Sequence, residues 1–238
     1  MAGERAYVIL HDHASAGGHV SERLRQRGFV VDEVTVVPPD RYADPGVDFE
    51  FPEAADYDLL VPMGAPWSVY DEDRIGSWVK PELAWLADAV AAGVPVFGIC
   101  FGAQALATAL GGATVKAERP EIGWVPVVSD DPGLVPSGPW LEWHYDRFTL
   151  PPGAVEVARN DVCPQAFRVG RSLGVQFHPE VAEGDIAVWL DNGGAAGARA
   201  AGVDPDALLR ECAARSDDAR SRAYALVDAY LSRIGRLG

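Results

Sequence analysis

Two short segments of this chain hold the residue types that covalent chemistry needs. The first is Gly98-Ile99-Cys100-Phe101-Gly102, which follows the apolar run Val94-Pro95-Val96-Phe97 and precedes Ala103-Gln104-Ala105-Leu106-Ala107-Thr108-Ala109-Leu110. A buried strand running through a glycine-flanked turn into a helix has the layout of a nucleophile elbow, with cysteine at the reactive position. Such a turn exposes the thiol and aims the first amides of the helix at whatever the sulfur attacks. The second segment is Val175-Gln176-Phe177-His178-Pro179-Glu180. Pro179 stops regular strand pairing there. Glu180, two positions on, can turn back to hold the imidazole, which would take the thiol proton and later pass it to a leaving amine.

The elements that must bring these segments together are legible as well. Strands are predicted over 7–10, 29–37 and 58–61, and helices over about 17–27 and 75–92, closed by Gly28 and Gly93. Gly111-Gly112 ends the elbow helix. Alternating strands and helices predict an α/β fold with a central, mostly parallel sheet covered on both faces, and Cys100 at the carboxyl ends of its strands. Beyond Gly112 short extended pieces at 124–128, 147–150, 155–158, 166–169 and 173–177 predict a β-rich, partly antiparallel second half. Asp191-Asn192-Gly193-Gly194-Ala195-Ala196-Gly197 reads as a flexible break, followed by two helices near 205–215 and 217–234, with Asp204 as N-cap. The division expected is a catalytic domain over 1–190 and a C-terminal helical extension over 191–238 packed on it.

With 238 residues, 48% of them hydrophobic, the chain can bury a sizeable core. The formal charge of −15 disfavours nucleic-acid binding. No signal peptide and no bilayer-crossing run is evident, and three cysteines (Cys100, Cys163, Cys212) form neither a metal spacing nor a disulfide framework. A cytoplasmic location, no cofactor and no membrane partner are the expectations. His11-Asp12-His13 at the end of the first strand offers two histidines on one face but no third ligand, so lining or hydrogen bonding in the cleft is expected there, with no metal.

The elbow and the Gln176-Phe177-His178-Pro179-Glu180 segment together resemble the class I (triad-type) glutamine amidotransferases, in particular the stand-alone relatives of the glutaminase domain of GMP synthetase, over about residues 5–190. The resemblance implies a flavodoxin-like three-layer sandwich. It also implies a Cys100–His178–Glu180 triad and a γ-glutamyl thioester on Cys100 that water hydrolyses. The family's Gly-Gly-Pro-x-Ser loop stands here as Gly64-Ala65-Pro66-Trp67-Ser68, with alanine at the second glycine. By resemblance the amides of Ala65 and Phe101 form the oxyanion hole, and Gly64, Gln104 and His144 lie on the substrate side. Ala65 keeps the N–H but would resist a flip through positive φ. Trp143-His144-Tyr145-Asp146 is expected to be a loop across the cleft, its histidine either touching substrate or orienting the loop.

Two functions fit these residues. One is a cysteine hydrolase of the γ-glutamyl amide of glutamine or a related compound, acting alone; no ATP-pyrophosphatase or Walker-type loop follows residue 190. The other is a glutaminase subunit delivering ammonia to a separate synthetase. A catalytically silent binding protein of the same fold is the third class. The last helices leave a homodimer or partner surface open.

Overall fold

The computed structural model describes residues 3–182 and 184–236. Three parallel strands lead the fold: β1 (Arg5–Leu10) pairs with β2 (Val30–Thr35) on one side and β3 (Leu59–Pro62) on the other. Helix α1 (Gly18–Gln26) connects β1 to β2, and α2 (Glu72–Ala91) follows β3. Strand β4 (Phe97–Ile99) continues the sheet through a parallel bridge between Leu60 and Val96, and leads through the elbow into α3 (Phe101–Ala109). The rest of the sheet is ordered β4-β9-β8-β7-β5-β6, where only β4–β9 is parallel.

Those later strands are β5 (Ala113–Ser129), β6 (Gly138–Thr149), β7 (Val155–Arg159), β8 (Pro164–Val169) and β9 (Ser172–Val175). The fold is thus the expected α/β sandwich with a parallel sheet and a curled, largely antiparallel second half. Two apolar layers cover the parallel part. One joins Val8, Val61, Phe97 and Ile99 to Leu226 and Tyr230; the other joins Ile9, Leu60 and Val96 to Trp78, Leu86 and Phe101. Fully buried strands with apolar residues at successive positions, as in Leu59-Leu60-Val61, are what a sheet covered on both faces requires.

Four expectations are corrected. Strands β5 and β6 are a long paired ribbon, bulged between Lys116 and Glu121, so residues 143–146 lie in a strand rather than a loop. The α2 helix starts three residues before the expected Ile75, at Glu72, with Glu72 and Asp73 in its first turn. Residues 191–197 are a kink between two helices rather than a long break: α4 (Asp185–Trp189) passes through a wide turn at Leu190–Gly194, non-helical at Asn192 and Gly193, into α5 (Ala195–Ala200). Gly193, at φ 100°, takes the kink that the glycines signalled, and the chain resumes as helix. Finally, residues 205–233 form one helix, α6 (Pro205–Arg233), not two. Neither glycine nor proline interrupts its interior, and i→i+3 and i→i+4 ion pairs Arg215–Glu211, Arg220–Asp217 and Arg222–Asp218 support the helix on either side of the expected break. The expected Asp204 cap is present, its carboxylate accepting from the Asp206 amide at 3.2 Å. No helix among the described residues is long and apolar enough to cross a membrane.

Candidate active site

Cys100 occupies a conformation that sequence alone rarely permits, φ 51° and ψ −108°, and it is the one non-glycine residue of positive φ among those described. The flanking glycines allow it. A Cβ on Gly98 would meet the Gly102 carbonyl oxygen at 2.6 Å, and one on Gly102 would meet that of Pro62 at 2.0 Å. The elbow is also tied down: the Cys100 amide donates to Val175 O at 2.8 Å, and the Gly102 amide to Met63 O at 3.0 Å. One strand end therefore carries the thiol, and its neighbours β3 and β9 carry the loops around it.

Beyond β9 the chain turns so that His178 Nδ1 meets Glu180 Oε1 at 2.7 Å, with both side chains buried. The His178 amide is held by Leu141 O at 2.8 Å. Nδ1 being engaged, Nε2 is left buried with no well-aligned partner. The neighbour that acts on it is the Cys100 thiol. Burial alone would lower the imidazole pKa, but Glu180 and Cys100 hold it well above the usual histidine value. Imidazole and carboxylate are paired, and the Cys100 thiol lines the same cavity as both. Gly64 and Ala65 line the same cavity as Cys100, His178 and Glu180.

Several residues enter that sequence reasoning missed. Gln176, fully buried, donates from Nε2 to Cys100 Sγ at 3.7 Å, and its Oε1 accepts from Gln104 Nε2 at 3.3 Å. Trp189 of α4 packs its ring edge-on against His178 at 4.9 Å and against Trp143 at 5.7 Å, anchored by its indole N–H on Ala14 O at 3.1 Å. Asn192 and Gly194, in the wide turn, complete the rim. Gly194 is pressed close enough that a Cβ there would meet Trp143 at 2.9 Å. No spacing in the sequence marks Trp189, whose partner is 11 residues away, and although Gln176 opens the motif of the resemblance, its contact with Cys100, 76 residues away, was not foreseen.

Two expected substrate contacts are occupied internally. Gln104 Nε2 donates to Asp146 O at 3.1 Å besides Gln176. His144 has Nδ1 on Asp146 O at 2.9 Å, and its Nε2 faces Glu121 at 3.2 Å and Glu142 at 3.3 Å. Burial lowers the His144 pKa, but the two carboxylates outweigh it and raise it to about 10; burial lifts Glu142 to about 7. Asp146 itself accepts from Ser68 and from Tyr70 OH, the latter at 2.8 Å.

His144 and Glu121 form a second Cys-His-Glu grouping with Cys163, their polar atoms within 4.8 Å of one another. Burial and the nearby Glu121 and Glu142 push the Cys163 thiol far up, so it stays protonated, and Gln165 Nε2 donates to it at 3.3 Å. This grouping is a buried polar brace under the ribbon. Cys100, by contrast, sits at an elbow of positive φ and lines the cavity that His178 and Glu180 share.

Comparison with known proteins agrees with this geometry. The model of the family "Glutamine amidotransferase class-I" matches residues 12–192, more than half of the chain. The chain belongs to that family. It is 40% identical over 133 residues to the GMP synthase (glutamine-hydrolyzing) of Thermomicrobium roseum, a match covering 52% of this chain and 23% of that protein, so the chain spans only a minor part of that relative's length. It is 36% identical over 136 residues to one subunit of the GMP synthase (glutamine-hydrolyzing) of Sulfurisphaera tokodaii, covering 53% of this chain and 69% of the relative. Among solved structures, a glutamine amidotransferase of Methylobacillus flagellatus superposes with a TM-score of 0.79 at 27% identity, covering 98% of this chain and 96% of that one. A glutamine amidotransferase of Thermotoga maritima shares the fold, with a TM-score of 0.81 at 24% identity over 97% of this chain and 99% of its own. Family membership and the Cys-His-Glu arrangement together support a thiol-based amidohydrolase.

Proposed function

We propose that this chain hydrolyses the γ-glutamyl amide of glutamine or a related γ-glutamyl compound, with Cys100 as nucleophile, His178 as general base and acid, and Glu180 as the residue that orients it. The observation that carries this is the His178–Glu180 pair at 2.7 Å beside a thiol held at positive φ at the start of α3. With the proton of the pair resting on His178, the Cys100 sulfur attacks the amide carbonyl carbon. The oxyanion formed is received by the amides of Phe101 and Ala65. Phe101 N–H is the first of its helix and has no intrahelical acceptor. The tetrahedral species collapses as His178 returns the proton to the leaving amine, leaving a thioester. Water, deprotonated by the same imidazole, then attacks the thioester carbonyl; the thiol leaves and γ-carboxylate is released.

Gln104 contributes to this site by holding the Asp146 carbonyl and Gln176, so the substrate side is shaped through it. His144 acts likewise, bracing the ribbon from beneath. We treat residues 1–190 as the catalytic unit and 191–238 as a helical extension, with residues 192–194 of that extension contributing to the cleft rim.

The likeness to a GMP synthase subunit favours a second reading, in which the released ammonia serves a separate synthetase. A panel of glutamine, γ-glutamyl peptides, γ-glutamyl amines and glutathione conjugates separates the two. Turnover by the isolated protein, lost in Cys100→Ala, supports the first; glutamine turnover only upon adding a synthetase supports the second. A panel without Cys100-dependent turnover or chloroketone labelling removes both.

A further inference from the structure

The first strand ends in a buried histidine–glutamate pair that the proposed reaction does not use. His11 and Glu82 are both 0% exposed, with His11 Nε2 3.0 Å from Glu82 Oε1 and 3.2 Å from Oε2. The imidazole is clamped between Trp78 and Phe101, at 5.6 and 4.7 Å between ring centroids. Its other nitrogen, Nδ1, lies 3.2 Å from the carbonyl oxygen of Gly64. A carbonyl can only accept, so Nδ1 carries a hydrogen whichever group holds the proton between Nε2 and Glu82. Ser15 Oγ reaches the same carbonyl at 3.4 Å, itself held by Asp12 at 2.6 Å.

The peptide that begins at Gly64 O ends at the Ala65 N–H. No cis peptide is present among the described residues, so C=O and N–H point in opposite directions. Fixing the carbonyl on His11 therefore fixes the amide away from His11. The opposite side is the reacting one: a Cβ on Gly64 would meet His178 Cε1 at 3.1 Å and Cys100 Cβ at 3.9 Å. Ala65 is not at positive φ, so the alanine rests without strain in this orientation and opposes rotation out of it.

We infer that His11 and Glu82 are positioning residues that pin the Gly64–Ala65 peptide with its N–H turned into the oxyanion hole, so that the hole stands assembled without a partner. The inference rests on the reading of Ala65 as an oxyanion donor made above. Replacing a buried pair by apolar residues avoids leaving one charge alone, so the test uses His11→Leu/Glu82→Met beside His11→Asn, whose amide keeps a donor near the position of Nδ1.

In the isolated full chain, with the best amide of the panel, the double variant is expected to lose on the order of 10²-fold in kcat, the scale of one lost oxyanion donor. KM stays within about twofold, because ground-state binding is spared. Alkylation of Cys100 by iodoacetamide, which forms no oxyanion, keeps its rate, and His11→Asn recovers most of kcat. A crystal structure of the double variant should show the Gly64 carbonyl rotated or in two orientations. An unchanged kcat, an alkylation rate that falls in parallel with kcat, or a peptide that keeps its orientation in the double variant overturns the pin. Wild-type protein that turns over no amide while the peptide orientation still depends on residues 11 and 82 sinks the proposed function and leaves the pin standing.

Discussion

In the proposed reaction Cys100, His178 and Glu180 do unequal work, and their substitutions should show it. Cys100→Ala removes the attacking atom and leaves only background turnover. Glu180→Gln keeps a hydrogen-bonding partner for Nδ1 but loses the negative charge. It is expected to retain roughly a hundredfold more turnover than Cys100→Ala, as orienting carboxylates do relative to nucleophiles. Equal loss in steady-state assays of the two purified variants would mean that Glu180 has another task. Gly64→Ala places a methyl 3.1 Å from His178 Cε1. Displacing the imidazole by a fraction of an ångström should lower kcat about tenfold or more with the melting temperature nearly unchanged; a kcat equal to wild type would show that the ring can give way freely.

The elements that carry these residues were legible where local signals dominate. The elbow was readable because Gly98 and Gly102 admit backbone where a Cβ would collide, and such constraint leaves glycine in the sequence. Asp204-Pro205 likewise marked the start of α6. What escaped was set by distant partners. The ribbon β5–β6 absorbed the supposed loop at 143–146 because its pairing joins Glu121 to His144, 23 residues apart. The wide turn at 190–194 was hidden by its glycines, each there for its own reason: Gly193 takes φ 100° with open space around it, and a Cβ on Gly194 would strike Trp143. Of the site, the three reacting side chains were readable. His11 was expected to line or hydrogen-bond in the cleft, but its partner Glu82, 71 residues on, and Trp189 were not readable, since neither carries a period. At this scale α6 is expected to be stitched to the sheet by Tyr230, whose hydroxyl lies 3.1 Å from Val96 O and 3.0 Å from Arg171 O. Tyr230→Phe removes the hydroxyl from Arg171 O, while Val96 O keeps the Leu173 amide at 2.9 Å, and should cost about 1 kcal/mol, read from urea unfolding; no change would mean that water replaces the hydroxyl.

For the molecule as a whole, buried titrating groups set how stability follows pH. Glu142 keeps its proton to about 7 against an ordinary 4.5, and His144 to about 10 against an ordinary 6.5. In both cases the unfolded chain releases a proton that the folded chain retains, so both contributions are full in acid and lost as pH rises through the folded values. Between pH 7.5 and 9.5 the share of the loss due to His144 should be on the order of 2 kcal/mol. Urea midpoints measured at those two pH values check this, and His144→Gln should flatten the decline; an equally steep decline in the variant would place its origin elsewhere. The indole of Trp189 lies 4.9 Å from His178. Imidazolium quenches indole emission more strongly than neutral imidazole, so the fluorescence lost on Trp189→Phe should brighten as His178 gives up its proton. The lid of the cleft thereby doubles as a native optical gauge of the ring beneath it, readable in real time and without any added dye.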